Sequence, residues 1–138
     1  MALPLTVRNP SPGGEFMQRV LLVDDNPLFL EVVQDFLREL GEVQVVGTCS
    51  SGKEALDALE RLAPHVIVLD ISMPGMNGFE LTRAIKARSS SPSVIVLTLL
   101  DTPRHKRAAL EAGADAFVGK ARMDIDLLPT IRSVTARS

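Results

Sequence analysis

A doubly wound α/β fold with five parallel strands and five helices is predicted by three features of the chain. Five short apolar runs alternate with amphipathic stretches of helical period, and Gly, Pro, Asn or Asp punctuates nearly every junction. The first run after Arg19 and the third are continuously apolar rather than alternating, the pattern of strands buried on both faces of a parallel sheet. Right-handed crossovers then place successive helices on both sides of that sheet.

The first run, residues 19–23, is apolar after Arg19 and ends at Asp24-Asp25. Asn26 supplies an N-cap and Pro27 a first helical residue. Leu28, Val32, Phe36 and Leu40 come next at intervals of four, with Phe29, Val33 and Leu37 alongside, and Gly41 closes the helix. Residues 43–47 read as the second strand. Ser51 with Glu54 forms a capping box opening a helix through Leu62, which Pro64 ends. The third strand, 66–69, delivers Asp70. A loop containing Pro74, Gly75 and Gly78 comes after it, and Asn77 with Glu80 repeats the capping box before a helix that buries Phe79, Leu81, Ala84 and Ile85. Residues 88–93 are a polar connector. The fourth strand, 94–97, leads to Thr98; Thr102-Pro103 starts a helix that Gly113 ends. The fifth strand, 116–118, leads to Gly119-Lys120, and the last helix covers 125–134.

At 138 residues the chain suits one domain. Residues 1–16 are rich in proline and glycine and lack periodicity, so they read as a disordered leader. Its closing Glu15-Phe16 is a dipeptide that a common cloning junction encodes, and the domain is expected over 17–138. No apolar stretch approaches a bilayer span, and no charged segment precedes an apolar one as in a signal peptide, which points to the cytoplasm. With 15 basic and 17 acidic residues, a net charge of −2 gives no reason for direct binding to nucleic acid or anionic membrane. The single Cys49 cannot form an internal disulfide and reads as a small buried apolar residue.

The residues just past each parallel strand gather on one edge of the sheet. Asp24, Asp25, Asp70, Thr98 and Lys120 should therefore meet. Taken singly, each has an ordinary explanation: a helix-capping acid, a strand threonine, a solvated lysine. Together they imply chemistry. Two carboxylates about 4 Å apart repel by roughly 4 kcal/mol at an effective dielectric of 20, so three require protonation or a cation. Oxygen-only ligands suit Mg²⁺. Asp70 can then act as a nucleophile toward a phosphoryl group, with Lys120 and Thr98 as donors to its oxygens.

These residues resemble the receiver domain of bacterial two-component response regulators. The resemblance spans about residues 19–134 and rests on Leu-Val-Asp-Asp-Asn-Pro (22–27), Val-Leu-Asp-Ile-Ser-Met-Pro-Gly-Met-Asn-Gly (68–78), Val-Leu-Thr (96–98) and Ala-Gly-Ala-Asp-Ala-Phe-Val-Gly-Lys (112–120). The wording of the second segment looks most like receivers attached to helix-turn-helix (LuxR-type) transcription factors.

The resemblance implies a flavodoxin-like strand order of 2-1-3-4-5 and Asp70 as phosphoacceptor. It further implies Mg²⁺ held by Asp24, Asp25, Asp70 and the backbone carbonyl of Ser72, with Asp24 acting largely through water. Lys120 would pair with the phosphoryl group, Thr98 would be the switch hydroxyl and Phe117 the switch aromatic, although packing alone also explains Phe117. The implied partner is a sensor histidine kinase or phosphotransfer protein, and the readout is the surface of the fourth helix, fifth strand and fifth helix. A homodimer formed on phosphorylation is left open, and DNA would be reached only through an output domain.

The sequence departs from that pattern in three places. Leu99 is bulky where the family usually has a small residue and is expected to narrow access to Asp70. Leu100 offers nothing to orient an attacking water, so slow phosphoryl loss is expected. Ala121 comes after Lys120 where many members have proline, which argues against a cis bond there. The basic run Arg104, His105, Lys106, Arg107 suits a solvated face or a partner-facing patch, and His65 reads as incidental. A rival reading is a phosphohydrolase of the haloacid dehalogenase type with Asp70 as nucleophile, but such enzymes need a second aspartate at the position Ser72 occupies.

Overall fold

The computed structural model describes residues 17–136, so the expected leader at 1–16 lies outside the described residues. Strands and helices alternate: β1 (Gln18–Val23), α1 (Pro27–Leu40), β2 (Val43–Cys49), α2 (Gly52–Leu62), β3 (Val66–Leu69), α3 (Gly78–Lys86), β4 (Ser93–Thr98), α4 (Pro103–Glu111), β5 (Ala116–Gly119) and α5 (Met123–Ala136). All pairings are parallel and the order is β2-β1-β3-β4-β5, as the resemblance implied.

The continuously apolar runs are explained by two core layers, one on each face of the sheet. Leu21 and Val23 of β1 face a layer built with α2, α3 and α4, while Val20 and Leu22 face one built with α1 and α5. All four residues of β3 are buried, because helices cover both of its faces. Each such side chain contributes about 1.5–3 kcal/mol by leaving water.

Local chemistry sets the helix ends. The Asn26 side chain accepts from the N–H groups of Leu28 and Phe29, both at 3.1 Å, and Pro27 fills the first helical position, where no N–H is needed. Gly41 closes α1 at φ 69° in the left-handed region, where a Cβ would strain the backbone. Asn77 and Glu80 form the full reciprocal capping box, each side chain accepting a backbone N–H at 2.9 Å. At α2 the box is displaced by one residue. Ser51 accepts from the Glu54 N–H, but the Glu54 carboxylate accepts from the Ser50 N–H rather than from that of Ser51.

The structure extends or corrects several expectations. β2 runs two residues past Gly47 to Cys49, and an irregularity that pairs Val20 with Val45 but Leu21 with Gly47 accommodates one extra residue. α5 begins at Met123, two residues early, after a 3₁₀ turn over Lys120–Arg122. It contains Pro129, whose ring removes one helical N–H donor. Ala63 caps α2 in the left-handed region (φ 45°), a place usually taken by glycine.

His65 is not incidental. Its Nδ1 accepts the Arg19 N–H at 2.9 Å, its own N–H donates to the Arg19 carbonyl, and its carbonyl accepts from Ser93. The residue thereby ties β1, through its side chain and its N–H, and β4, through its carbonyl, to the segment entering β3, at the edge opposite the acids. Met73 is buried and Met76 packs against the same core layer. Cys49 is buried as expected, and its environment pushes the thiol above its usual range through desolvation. No peptide bond among the described residues is cis, and none of their helices is long and apolar enough to cross a membrane.

Candidate functional site

Parallel strands share one direction, so the C-terminal ends of β1, β3, β4 and β5 open on one edge. There β1 leads to Asp24 and Asp25, β3 leads to Asp70, β4 ends on Thr98, and β5 ends on Gly119 beside Lys120. Hydrogen bonding continues past the strand ends and fixes the acids: the Asp24 N–H donates to the Cys49 carbonyl at 3.0 Å and the Asp70 N–H to that of Val23 at 3.1 Å. Thr98 stands opposite Gly119 in register.

Oxygens of Asp24, Asp25 and Asp70 all lie within 4.8 Å of one another, with Asp24 and Asp70 buried and Asp25 exposed. The Lys120 ammonium enters this cluster. Its Nζ is 2.8 Å from Asp24 Oδ2 and 3.3 Å from Asp70 Oδ2, with only 9% of the side chain exposed. One ammonium cannot neutralise three carboxylates, and the site remains anionic.

The remaining oxygens of the two buried acids are held by backbone. Asp24 Oδ1 accepts from the Asn26 N–H at 2.9 Å, and Asp70 Oδ1 accepts from the Ile71 N–H at 2.7 Å. Desolvation is the largest influence on Asp24 and pushes its carboxyl above the usual range, while hydrogen bonds from Lys120 and Asn26 pull it back. The raised value means that the folded state binds the proton more tightly than the unfolded state, so stability falls as pH rises from 3.8 through that value. At neutral pH the ionised Asp24 is therefore a local burden. Asp24→Asn should raise the thermal midpoint at pH 7, and the difference from wild type should shrink as the pH falls below 3.8. A lowered midpoint at pH 7 in a melting series would contradict this.

Thr98 is buried and its Oγ1 accepts from the Leu100 N–H at 3.1 Å. Phe117 is half-buried and packs against the layer beneath α2, α3 and α4. Leu99 is 73% exposed and Leu100 39% exposed, so both project outward from the β4 end. Ser72 is exposed, two residues past Asp70. Arg104, Lys106 and Arg107 are exposed on α4, whereas His105 Nδ1 lies 2.7 Å from Thr102 Oγ1 at the helix start.

Two residues contribute to the site without a signal in the sequence that marks them for it. Phe29 is legible there only as helix packing, yet the Lys120 ammonium lies 3.9 Å from its ring centroid. Gly78 is legible as a loop glycine at the end of the 68–78 motif but not for its contact with Asp70: its N–H donates to the Ile71 carbonyl at 2.8 Å and a Cβ there would meet the Asp70 carbonyl oxygen. The helix that Gly78 opens is drawn hard against the backbone carrying Asp70.

The profile of the response regulator receiver domain family matches residues 20–132. The chain belongs to that family. The receiver is 43% identical over 106 residues to a protein-glutamate methylesterase/protein-glutamine glutaminase of Methanospirillum hungatei, covering 75% of this chain and 30% of the relative. It is 32% identical over 117 residues to the nitrate/nitrite response regulator protein NarL of Escherichia coli, covering 85% of this chain and 54% of NarL. Among solved structures it superposes on a DNA-binding response regulator of the LuxR family from Staphylococcus aureus with a TM-score of 0.80 at 26% identity, covering 86% and 99% of the two chains. The receiver thus spans about a third of the methylesterase relative's length and about half of NarL's.

Proposed function

We propose that this receiver accepts a phosphoryl group on Asp70, assisted by Mg²⁺, and passes the signal on through the surface of α4, β5 and α5. The observation that carries the reading is the convergence of three carboxylates within 4.8 Å with Lys120 bridging Asp24 and Asp70. Every donor in the cluster is a carboxylate oxygen and Asp25 faces solvent, a set that suits a hard divalent cation with room for water and phosphate. Asp24, Asp25, Asp70 and the Ser72 carbonyl would hold it. Bound there, Mg²⁺ supplies positive charge against the acids and against phosphoryl oxygens.

Asp70 Oδ1 is occupied by the Ile71 N–H, so Oδ2, facing Lys120, is the oxygen we assign to attack. An O–P bond forms there as the N–P bond of a phosphohistidine on a sensor kinase or phosphotransfer protein breaks, and the electron pair stays on the imidazole nitrogen. Lys120 meets the new charge with its ammonium, and Thr98 with its hydroxyl. Because Thr98 holds the Leu100 N–H, its movement would drag the exposed Leu99 and Leu100 along. Phe117 would turn into the vacated space, which converts a local charge change into a surface change.

The chemistry of the domain is confined to its own Asp70, with no separate metabolite as substrate. The relatives support two kinds of output, an enzyme and a transcription factor; the LuxR-family likeness favours transcription, with DNA met only through a separate output domain. We place the protein in the cytoplasm as a receiver extending over 17–138, with phosphorylation-dependent homodimerisation as a secondary feature.

Treatment with acetyl phosphate and Mg²⁺ should give a retarded band on a phosphate-binding gel, and EDTA should abolish it. A band unaffected by EDTA would contradict the cation assignment. Leu100 provides no group to orient water, so the adduct should persist for minutes or longer, and Leu100→Asn should shorten its decay severalfold. Wild-type decay within seconds would contradict that part of the reading.

A further inference from the structure

Lys120 has three close neighbours, and the third is not an acid. Its ammonium lies 2.8 Å from Asp24 Oδ2, 3.3 Å from Asp70 Oδ2 and 3.9 Å from the centre of the Phe29 ring. Phe29 is the third residue of α1 and is fixed there by its own turn: its N–H donates to Asn26 Oδ1, and the Asn26 N–H donates to Asp24 Oδ1. The ring also packs against the core layer beneath α1 and α5. One short turn therefore builds both Asp24 and the aromatic face, and together they cup the ammonium.

The face of a benzene ring attracts a cation through its quadrupole, and more strongly where water is excluded. With 9% of its side chain exposed, Lys120 meets that condition. The ring carries no net charge, so it does not compete with a phosphoryl group as a carboxylate does. We propose that Phe29 is a positioning residue for Lys120, a second hold on the ammonium that lets it pass from Asp24 toward phosphoryl oxygens on Asp70 without leaving the cleft. The role in transfer rests on the phosphoacceptor reading above. Without the ring, a flexible four-carbon stem would have only Asp24 to keep it from bulk water on that side.

Three measurements on the full chain test this. In urea unfolding without Mg²⁺, a cycle of Phe29→Leu and Lys120→Met should be non-additive by about three- to tenfold in the unfolding constant. By NMR, the Lys120 ε-methylene protons should be shifted upfield by the ring in wild type, Phe29→Tyr and Phe29→Trp, and return to ordinary values in Phe29→Leu. Phosphorylation of Asp70 by acetyl phosphate should slow about three- to tenfold in Phe29→Leu and recover in Phe29→Tyr and Phe29→Trp.

An additive cycle, an unmoved ε-methylene signal, or equal phosphorylation of Phe29→Leu and wild type would overturn the proposal. If Phe29→Leu fails to fold, Phe29→Met, which also fills the space without a ring, takes its place in all three. Failure of wild type itself to phosphorylate would instead overturn the phosphoacceptor reading and with it the role in transfer, while the cycle and the NMR signal would still decide whether the ring holds the ammonium.

Discussion

Asp70→Asn should leave the protein folded and reduce phosphoryl uptake to background. The substitution keeps the shape of the side chain and an oxygen able to accept the Ile71 N–H, so the bond at 2.7 Å has a replacement. It removes the anionic oxygen assigned to attack and one of three clustered negative charges. Lys120 keeps its closer partner, Asp24, at 2.8 Å. Like-charge repulsion is relieved, and the thermal midpoint of the variant should equal or exceed that of wild type by a few degrees. Retained uptake on a phosphate-binding gel would show that another residue accepts phosphorus, and a lowered midpoint would show that the electrostatics of the cluster have been misjudged.

Gly78→Ala is expected to have the largest effect on stability. A Cβ at this position would stand 2.2 Å from the Asp70 carbonyl oxygen, 2.6 Å from Ile71 Cα and 2.9 Å from the Asp70 carbonyl carbon. All three are backbone atoms, so no side-chain rotation relieves the clash. Either the N-terminal turn of α3 withdraws, breaking the buried Gly78 N–H bond to Ile71, or the backbone at Asp70 shifts. We expect a loss of about 3 kcal/mol, seen as a fall of about 10 °C in the thermal midpoint. The folded fraction should also take up phosphoryl more slowly than wild type, because the carboxylate of Asp70 moves with its backbone. An unchanged midpoint would mean that the start of α3 has room to move away from the end of β3. By contrast, a Cβ on Gly41 would meet nothing within 4 Å, and only the positive φ there resists substitution.

Asp70 and Gly78 also mark the boundary of what the sequence discloses. Strand positions are legible because burial on both faces leaves a continuous apolar run, as in residues 66–69, and helix starts because Asn26-Pro27 and Asn77 with Glu80 carry their own capping chemistry. The acids, Thr98 and Lys120 can be brought together from topology alone, since parallel strands deliver their ends to one edge. Contacts that depend on side-chain direction are not legible. Nothing in the spacing of Phe29 distinguishes a ring on the core from one that also faces Lys120, and nothing around His65 announces that its Nδ1 accepts a backbone N–H across the sheet. The end of β2 is hidden because an extra residue in the pairing interrupts the period, and the start of α5 because a 3₁₀ turn precedes its first apolar residue.

The proposed signalling role depends on conversion of the carboxylate at the end of β3 into an acyl phosphate. Borohydride reduction after treatment with acetyl phosphate and Mg²⁺ turns such an adduct into an alcohol, which peptide mass spectrometry locates. We expect homoserine at position 70 and nowhere else in the chain. Reduction at another acidic residue, or none in a sample whose intact mass shows a phosphoryl group, would contradict the account.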